Sequence, residues 1–213
     1  MNKLLHHKKL IVILVCLLLV VSGSFIYQKS RIVKMSIETI NQVETGYSKG
    51  CEGVSLYMCL KYKGYMDDIS LDDFMSTIPR DDDNPYLGFV GDLNEKTEGK
   101  RQTIYPSPLA SWGKKYGNVE DITGSTVAEL KNYINKKQPV VVYVTKDFSE
   151  PEWKTYDYGR VVTNGHVIVL VGYNKKTGNY LVNDCWNGEG EYWVDKDIFE
   201  NIYNVRKYAV VVK

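Results

Sequence analysis

Apolar positions in the first half of the chain follow helical spacing. The longest predicted helix begins at Cys51, directly after a glycine, and ends before Gly64. Further helices are predicted near residues 71–76, 108–116 and 127–135. Thr126 and Glu129 have the spacing of a capping box, in which each residue satisfies a backbone N–H of the other. The first half is therefore predicted to be mainly helical.

From residue 138 the pattern changes to runs of β-branched and aromatic residues separated by polar turns. The predicted strands cover residues 139–145, 165–173, 179–184, 191–194 and 208–213. Runs that are apolar on both faces are typical of central strands in a covered sheet. The chain is therefore predicted to have an α+β fold, with N-terminal helices packed on a C-terminal antiparallel sheet.

Two segments lie between these elements. Residues 79–108 are rich in Asp, Asn, Gly and Pro, which predicts a long ordered loop, and loops of that length are usually functional. Residues 147–163 are polar and aromatic and lie between two predicted strands. They are a candidate for one wall of a cleft.

The extreme N-terminus has the pattern of a targeting segment. A cationic start is followed by an uncharged apolar run over residues 10–21. Residues 1–27 are therefore predicted to form a hydrophobic helix that is either a cleaved signal peptide or a transmembrane anchor. Residues 28–36 are predicted to be a linker and 37–213 the folded domain. That domain is expected outside the cell membrane, attached to it through the N-terminal segment, or secreted if the leader is cleaved.

Charge and cysteine content narrow the functional classes. The 27 Lys and Arg face 26 Asp and Glu, so a nucleic-acid partner is not expected. Beyond the leader three cysteines remain, an odd number, so at least one thiol stays free. Cys59 lies two helical turns from Cys51, too far for a bridge between them. Cys59 is either a buried apolar residue or the partner of Cys185 in a disulfide.

The candidate chemistry combines Cys51, His166 and Asp184. A thiol at a helix N-terminus experiences the positive end of the helix dipole, which favours the nucleophilic thiolate. His166 is the only histidine beyond the extreme N-terminus. A hairpin centred on Lys175 places His166 opposite Asp184, which would hold the imidazole in one tautomer. Alternatively, the three residues are a core thiol, a buried histidine and a turn aspartate.

Several motifs resemble those of the bacterial C39-like papain-fold cysteine peptidases, relatives of the bacteriocin-leader peptidases. The matching residues extend over about 37–213. In chain order they are Gln42, Gly50-Cys51-Glu52 with Ser55, Asn84-Pro85 with 88–91, 105–109, Gln138-Pro139-Val140, Gly165-His166-Val167, and Asn183-Asp184 with Trp186 and Gly188.

The resemblance implies a papain-like fold with Cys51 as nucleophile, His166 as general base and acid, and Asp184 as the orienting group. It also implies that Gln42 contributes to an oxyanion hole. Cys185 departs from the family pattern, which usually has proline after the aspartate. No metal and no cofactor are expected.

These observations leave three functions open. The first is a cysteine peptidase that hydrolyses peptide or peptide-like amide bonds through a thioester. The second is a cell-wall amidase or acyl transferase with the same triad, since the same groups serve any acyl transfer. The third is a non-catalytic, membrane-anchored domain that binds peptides.

Overall fold

The computed structural model describes residues 13–15, 17, 31–188 and 190–213. The predicted N-terminal hydrophobic helix, residues 1–27, lies outside them except for four positions. Within the described part of the chain, no helix combines the length and apolarity needed to cross a membrane.

The described part of the domain contains five α-helices. They are α1 (Cys51–Tyr62), α2 (Leu71–Ser76), α3 (Pro106–Gly113), α4 (Val127–Asn135) and α5 (Lys196–Asn204), with short 3₁₀ helices at Lys146–Phe148 and Trp186–Gly188. The bounds of α1, α2 and α4 match the prediction, and the capping box of Thr126 and Glu129 is formed. α3 begins two residues earlier than predicted, because Pro106 suits the first turn of a helix.

The strands form one large sheet and two small pairs. They are β1 (Ile32–Lys34), β2 (Arg80–Asp81), β3 (Phe89–Val90), β4 (Val119–Asp121), β5 (Val140–Thr145), β6 (Trp153–Tyr156), β7 (Gly159–Val162), β8 (Gly165–Asn174), β9 (Tyr180–Asp184), β10 (Gly190–Val194) and β11 (Ala209–Val212). The seven-stranded sheet has the order β10-β9-β8-β5-β11-β4, and β1 also pairs with β8. All pairs in this sheet are antiparallel, as predicted.

Strand β8 is the centre of the sheet. It pairs with β9 along one edge, and with β5 and then β1 along the other. Residues 166–173 of this strand are all buried, in agreement with the prediction of a covered central strand. Val144, near the end of β5, lies opposite His166, near the start of β8. The candidate site lies at this end of the strand pair.

Helix α1 packs against β8, β5, α2 and α3. Its residues from Glu52 to Leu60 are all buried, so the helix is surrounded by protein rather than amphipathic. Phe74 of α2 stacks on Trp112 of α3 at a ring-centroid distance of 3.9 Å. The helix that begins at Cys51 is therefore enclosed by the sheet and by two other helices.

The structure adds elements that the sequence pattern does not predict. The expected linker, residues 28–36, includes β1, which is paired to the sheet. The β6–β7 hairpin, β4 and α5 are also additional. Cys51, Cys59 and Cys185 are free thiols, so the alternative of a Cys59–Cys185 disulfide is wrong.

Candidate active site

Cys51 is the first residue of α1, as predicted. The first N–H groups of a helix have no intrahelical partner, and the preceding residue, Gly50, provides no side-chain hydrogen bond to them. Gly50 and Gly53 allow α2 to pack closely, since a Cβ on either would lie 2.9 Å from Met75 Cε. The half-buried Cys51 is thus positioned at the positive end of α1.

The surroundings of Cys51 favour a protonated thiol. Burial, followed by the charge of Glu52 and the neighbouring Cys185, raises the pKa of Cys51 well above its usual value. Cys51 Sγ donates to Glu52 Oε2 over 3.5 Å, while Glu52 Oε1 accepts from the Thr103 hydroxyl. The prediction from the sequence considered the helix dipole, which lowers the pKa of Cys51 and favours the thiolate. The buried carboxylate of Glu52 acts in the opposite direction.

Val167 connects the α1 terminus to the histidine. Its backbone interacts with the Cys51 thiol and lowers the pKa of that thiol, and it directly follows His166 on β8. The Val167 carbonyl also accepts from Ser55 Oγ over 3.3 Å. Among the residues that the structure describes, no hydrogen bond joins the Cys51 thiol to the His166 ring.

His166 and Asp184 are brought together, although in a different register from the one predicted. Val169 lies opposite Asn183, so the pairing is displaced by two residues, with a bulge between Leu170 and Gly172. Because side chains alternate with a period of two, this displacement keeps His166 and Asp184 on one face as diagonal neighbours. Their side chains meet, with His166 Nε2 2.7 Å from Asp184 Oδ1.

Asp184 accepts two further hydrogen bonds. The Trp186 backbone N–H donates to Oδ1 over 2.8 Å, and the Tyr192 hydroxyl to Oδ2 over 3.0 Å. Burial tends to raise the pKa of Asp184, but the bond and charge of His166, with Trp186 and Tyr192, lower it overall. An ionised carboxylate only accepts, so His166 Nε2 carries a proton, and in the neutral form of the ring Nδ1 is then the acceptor nitrogen.

Gln42 is held by hydrogen bonds at both ends of its amide. Its Nε2 donates to the Ser48 carbonyl over 2.9 Å, and its Oε1 accepts from Cys185 Sγ over 2.9 Å. Gln42 is 1% exposed, and its backbone N–H donates to the Cys185 carbonyl over 2.9 Å. One N–H of the amide remains for another acceptor.

For three neighbours of the site the sequence predicted no role. Glu52, Thr103 and Tyr192 contact Cys51 or Asp184 directly or through one bond. Glu52 was visible only as part of the Gly50-Cys51-Glu52 motif. Tyr192 of β10 lies opposite Val182 of β9, on the same face as Asp184. A predicted pairing of these two strands would therefore have placed the Tyr192 hydroxyl near Asp184.

A cleft of about 400 Å³ lies beside the His166 ring. Its walls are formed by Gln42, Ser48, Lys49, Lys96, Lys100, Arg101, Gln102, Lys146, Tyr156, Thr163, Asn164, Gly165, His166 and Trp186. Tyr156 and Thr163 come from the segment predicted to be a cleft wall. The Trp186 and His166 rings meet edge to face with centroids 6.4 Å apart. The cleft therefore gives access to Gln42 and His166 from one side.

Sequence comparison assigns the chain to a family. Residues 34–211 match the family described as Peptidase_C39 like family. The chain belongs to this family. The C39-like domain is 30% identical to the uncharacterized protein YvpB of Bacillus subtilis (strain 168) over 178 residues, which cover 77% of this chain and 69% of YvpB.

The fold of the C39-like domain also has a solved counterpart. A crystal structure of a putative C39-like peptidase from Bacillus anthracis superposes with a TM-score of 0.73 and 25% identity, and the match covers 85% of this chain and 97% of that one. The expected α+β fold of a C39-like cysteine peptidase is thereby confirmed. In the described part of the C39-like domain, no three His, Cys, Asp or Glu side chains group as metal ligands.

Proposed function

We propose that the protein is a cysteine peptidase that hydrolyses peptide or peptide-like amide bonds with Cys51, His166, Asp184 and Gln42. The observation that carries this proposal is the 2.7 Å contact between His166 Nε2 and Asp184 Oδ1. His166 lies on β8, which packs against α1 and whose Val167 backbone interacts with the Cys51 thiol. Membership in the Peptidase_C39 like family supports the same chemistry.

In the proposed first step, His166 Nδ1 accepts the Cys51 proton and the thiolate attacks the carbonyl carbon of the amide. The Cys51 backbone N–H and one N–H of the Gln42 amide stabilise the resulting oxyanion. Asp184, kept ionised by its hydrogen bonds, stabilises the imidazolium.

In the proposed second step, the imidazolium gives its proton to the leaving nitrogen as the C–N bond breaks. The amine departs and an acyl thioester remains on Cys51. Water, deprotonated by His166, then attacks the thioester carbonyl. The carboxylic acid is released and the Cys51 thiol is restored, so the net reaction is an amide plus water giving an acid plus an amine.

The raised pKa of Cys51 means that His166 must remove the thiol proton for the sulfur to attack. Glu52 and burial hold the proton on the thiol in the resting protein. Formation of the thiolate therefore depends on transfer of the proton to His166, since the imidazolium that forms compensates the negative charge on Sγ. Under this proposal the thiolate forms by proton transfer to His166 during the attack rather than from a preformed ion pair.

Export and attachment to a membrane are part of the proposal. The support is the cationic start and the apolar run over residues 10–21. Fractionation of cells producing the full chain tests this, with protease accessibility from outside. Recovery of an inaccessible protein in the cytoplasm would contradict export, and release into the medium would indicate cleavage of the leader.

The catalytic proposal is tested by labelling the full chain with a broad peptidyl electrophile directed at thiols. The rates of wild type, Cys51→Ala, His166→Ala and Cys185→Ala are compared at several pH values. We expect rapid labelling that requires Cys51 and His166 but not Cys185. Slow labelling that is unaffected by His166→Ala would contradict the proposal.

A non-catalytic peptide-binding domain is the second candidate. Two observations favour it, namely the raised pKa of Cys51 and the absence of a Cys51–His166 hydrogen bond among the described residues. Peptide binding that persists in Cys51→Ala, without turnover by wild type, would support this candidate. Amidase or acyl-transferase activity uses the same atoms, so cell-wall peptides and linear peptides must be compared as substrates.

A further inference from the structure

The cleft beside His166 has a strongly unbalanced charge. Five of its lining side chains are cationic, namely Lys49, Lys96, Lys100, Arg101 and Lys146, and no Asp or Glu is among the described residues that line it. The whole chain has a formal net charge of only +1. Positive charge is therefore concentrated at the site rather than spread over the surface.

The lysines at the rim are mostly exposed and only weakly neutralised. Lys100 pairs with Asp83, and Lys96 with Glu98 over 2.6 Å, with more than two thirds of each acidic side chain exposed. Such surface pairs exchange readily for other partners. Lys146 lies 4.6 Å above the Trp186 ring, where it remains free to face an anion.

Arg101 is held more firmly, and by neutral groups. Its Nε donates to the Val162 carbonyl and its Nη1 to the Gln102 carbonyl, both over 3.0 Å. A guanidinium has five N–H donors, so three are left for a ligand. Among the described residues, Arg101 forms no ion pair with a carboxylate.

Gly165 leaves room for Arg101 against the strand that carries His166, and both Arg101 and His166 line the cleft. A Cβ at Gly165 would lie 2.7 Å from Arg101 Nη2 and 3.2 Å from Arg206 Nη1, so two guanidinium groups converge on the residue before His166. Arg206 is itself held by the Val144 carbonyl. Burial, followed by the charge of Arg101, lowers the pKa of Arg206. Arg206 thus adds positive charge beside Arg101, which itself lines the cleft.

We propose that this cleft selects peptides that carry a carboxylate close to the bond to be cleaved, with Arg101 as the residue that binds it. This rests on the proposed peptidase function. The carboxylate belongs either to an Asp or Glu side chain or to the C-terminus of the peptide. Arg101 binds it through two parallel N–H groups, and Lys49 and Lys146 increase the local concentration of acidic substrates.

The first experiment needs no peptide hydrolysis. Second-order rates of alkylation of Cys51 in the full chain are measured with iodoacetate, which is anionic, and iodoacetamide, which is neutral. Each rate is divided by the rate at which the same reagent alkylates glutathione in the same buffer. Modification of Cys51 is verified by mass spectrometry. Arg101→Gln is compared with Lys175→Gln, a matched loss of one positive charge at an exposed turn at the other end of β8.

For wild type and Lys175→Gln, we expect the normalised rate with iodoacetate to exceed the normalised rate with iodoacetamide by roughly fivefold or more. The preference should fall severalfold in Arg101→Gln and in about 1 M salt, where the Debye length is about 3 Å. The same comparison in a His166→Ala background removes the contribution of the imidazole. No preference in wild type, or full retention in Arg101→Gln, would overturn the proposal. If Arg101→Gln does not fold, Lys49→Gln and Lys146→Gln provide the same comparison.

Peptides then distinguish the two sources of the carboxylate. Cleavage of matched peptides with Glu or Gln near the scissile bond is compared, each with a free or an amidated C-terminus. A Glu preference that survives amidation identifies a side-chain carboxylate, and loss on amidation identifies the terminus. Equal cleavage of all four would overturn the proposal. Absence of any cleavage would instead contradict the peptidase function, while the alkylation ratios would still report the anion preference.

Discussion

The Cys185 thiol donates a hydrogen bond to the Gln42 side-chain oxygen over a Sγ–Oε1 distance of 2.9 Å. This contact fixes which end of the amide faces Cys185. The nitrogen end is thereby directed to the Ser48 carbonyl, and Gln42 as a residue lines the cleft. Cys185, at the position where the related peptidases usually have proline, thus orients the residue that we propose as the oxyanion donor.

Cys185 is therefore predicted to act through Gln42. Cys185→Ser keeps a donor and should retain most activity, whereas Cys185→Ala should lower kcat by about tenfold with little change in KM, because a misdirected amide costs less than a missing one. Steady-state kinetics on a peptide substrate measure this. Equal kcat in Ala and Ser variants would show that the hydrogen bond has no role in turnover.

Gln42→Ala is predicted to lower kcat by about 10²–10³-fold, the effect of removing one oxyanion-hole donor. Labelling of Cys51 by a simple alkylating agent should change little, because that reaction develops no oxyanion. The two measurements together separate a role in the transition state from a loss of folding. A parallel fall in both rates would contradict the assigned role.

Glu52→Gln is predicted to lower the pKa of Cys51, because the charge of Glu52 is second only to burial in raising it. In a His166→Ala background, alkylation of Cys51 should be slow at neutral pH and increase with pH. Adding Glu52→Gln should increase the rate severalfold at each pH below that pKa. A pH profile that is unchanged by Glu52→Gln would contradict the proposed influence of the carboxylate.

Stability in acid is predicted to depend on Asp184. Its pKa is lowered in the folded protein, so its ionised form stabilises the fold above the unfolded pKa of about 3.9. This contribution is lost as the pH falls through the lower, folded value. The difference in unfolding free energy between wild type and Asp184→Asn should therefore be largest near pH 7 and decrease below about pH 4. Urea unfolding at several pH values measures it, and a constant difference would be inconsistent with a lowered pKa.

Gly172→Ala is predicted to destabilise the domain by about 1–3 kcal/mol, the usual cost of overpacking. A Cβ at this position would lie 2.4 Å from the Val33 carbonyl oxygen, so β1 would have to move away from β8. Thermal unfolding measures the change. Ala at Gly124, where a Cβ meets nothing within 4 Å but φ is +92°, is a control for backbone strain without the clash.

Much of the fold could be predicted because its signals are local. The start of α1 after Gly50, the capping box at Thr126 and the apolar run of β8 are each readable within a few residues. α5 had such a signal as well, since Asp195 caps it and Phe199, Ile202 and Tyr203 are its buried face. The short strand Val119–Asp121 has too few residues for any periodicity.

The candidate site was predictable only in part. The His166–Asp184 pair depends on a hairpin, and the two-residue error in register was harmless because it preserved the face. The contact between Thr103 and Glu52 joins residues that are separated by 51 positions in the sequence, and the contact between Cys185 and Gln42 joins residues separated by 143. No periodicity encodes such contacts, so the raised pKa of Cys51 and the orientation of Gln42 emerged only from the structure.

The pairing of β1 with the end of β8 also determines how the domain is presented to its surroundings. Val33 lies opposite Tyr173, seven residues along β8 from His166, which is roughly 23 Å at the rise of an extended strand. The chain thus enters the domain at the end remote from the cleft. An attachment made at the start of β1 would therefore lie roughly 23 Å along β8 from His166, away from the approach of a long or bulky substrate to the cleft.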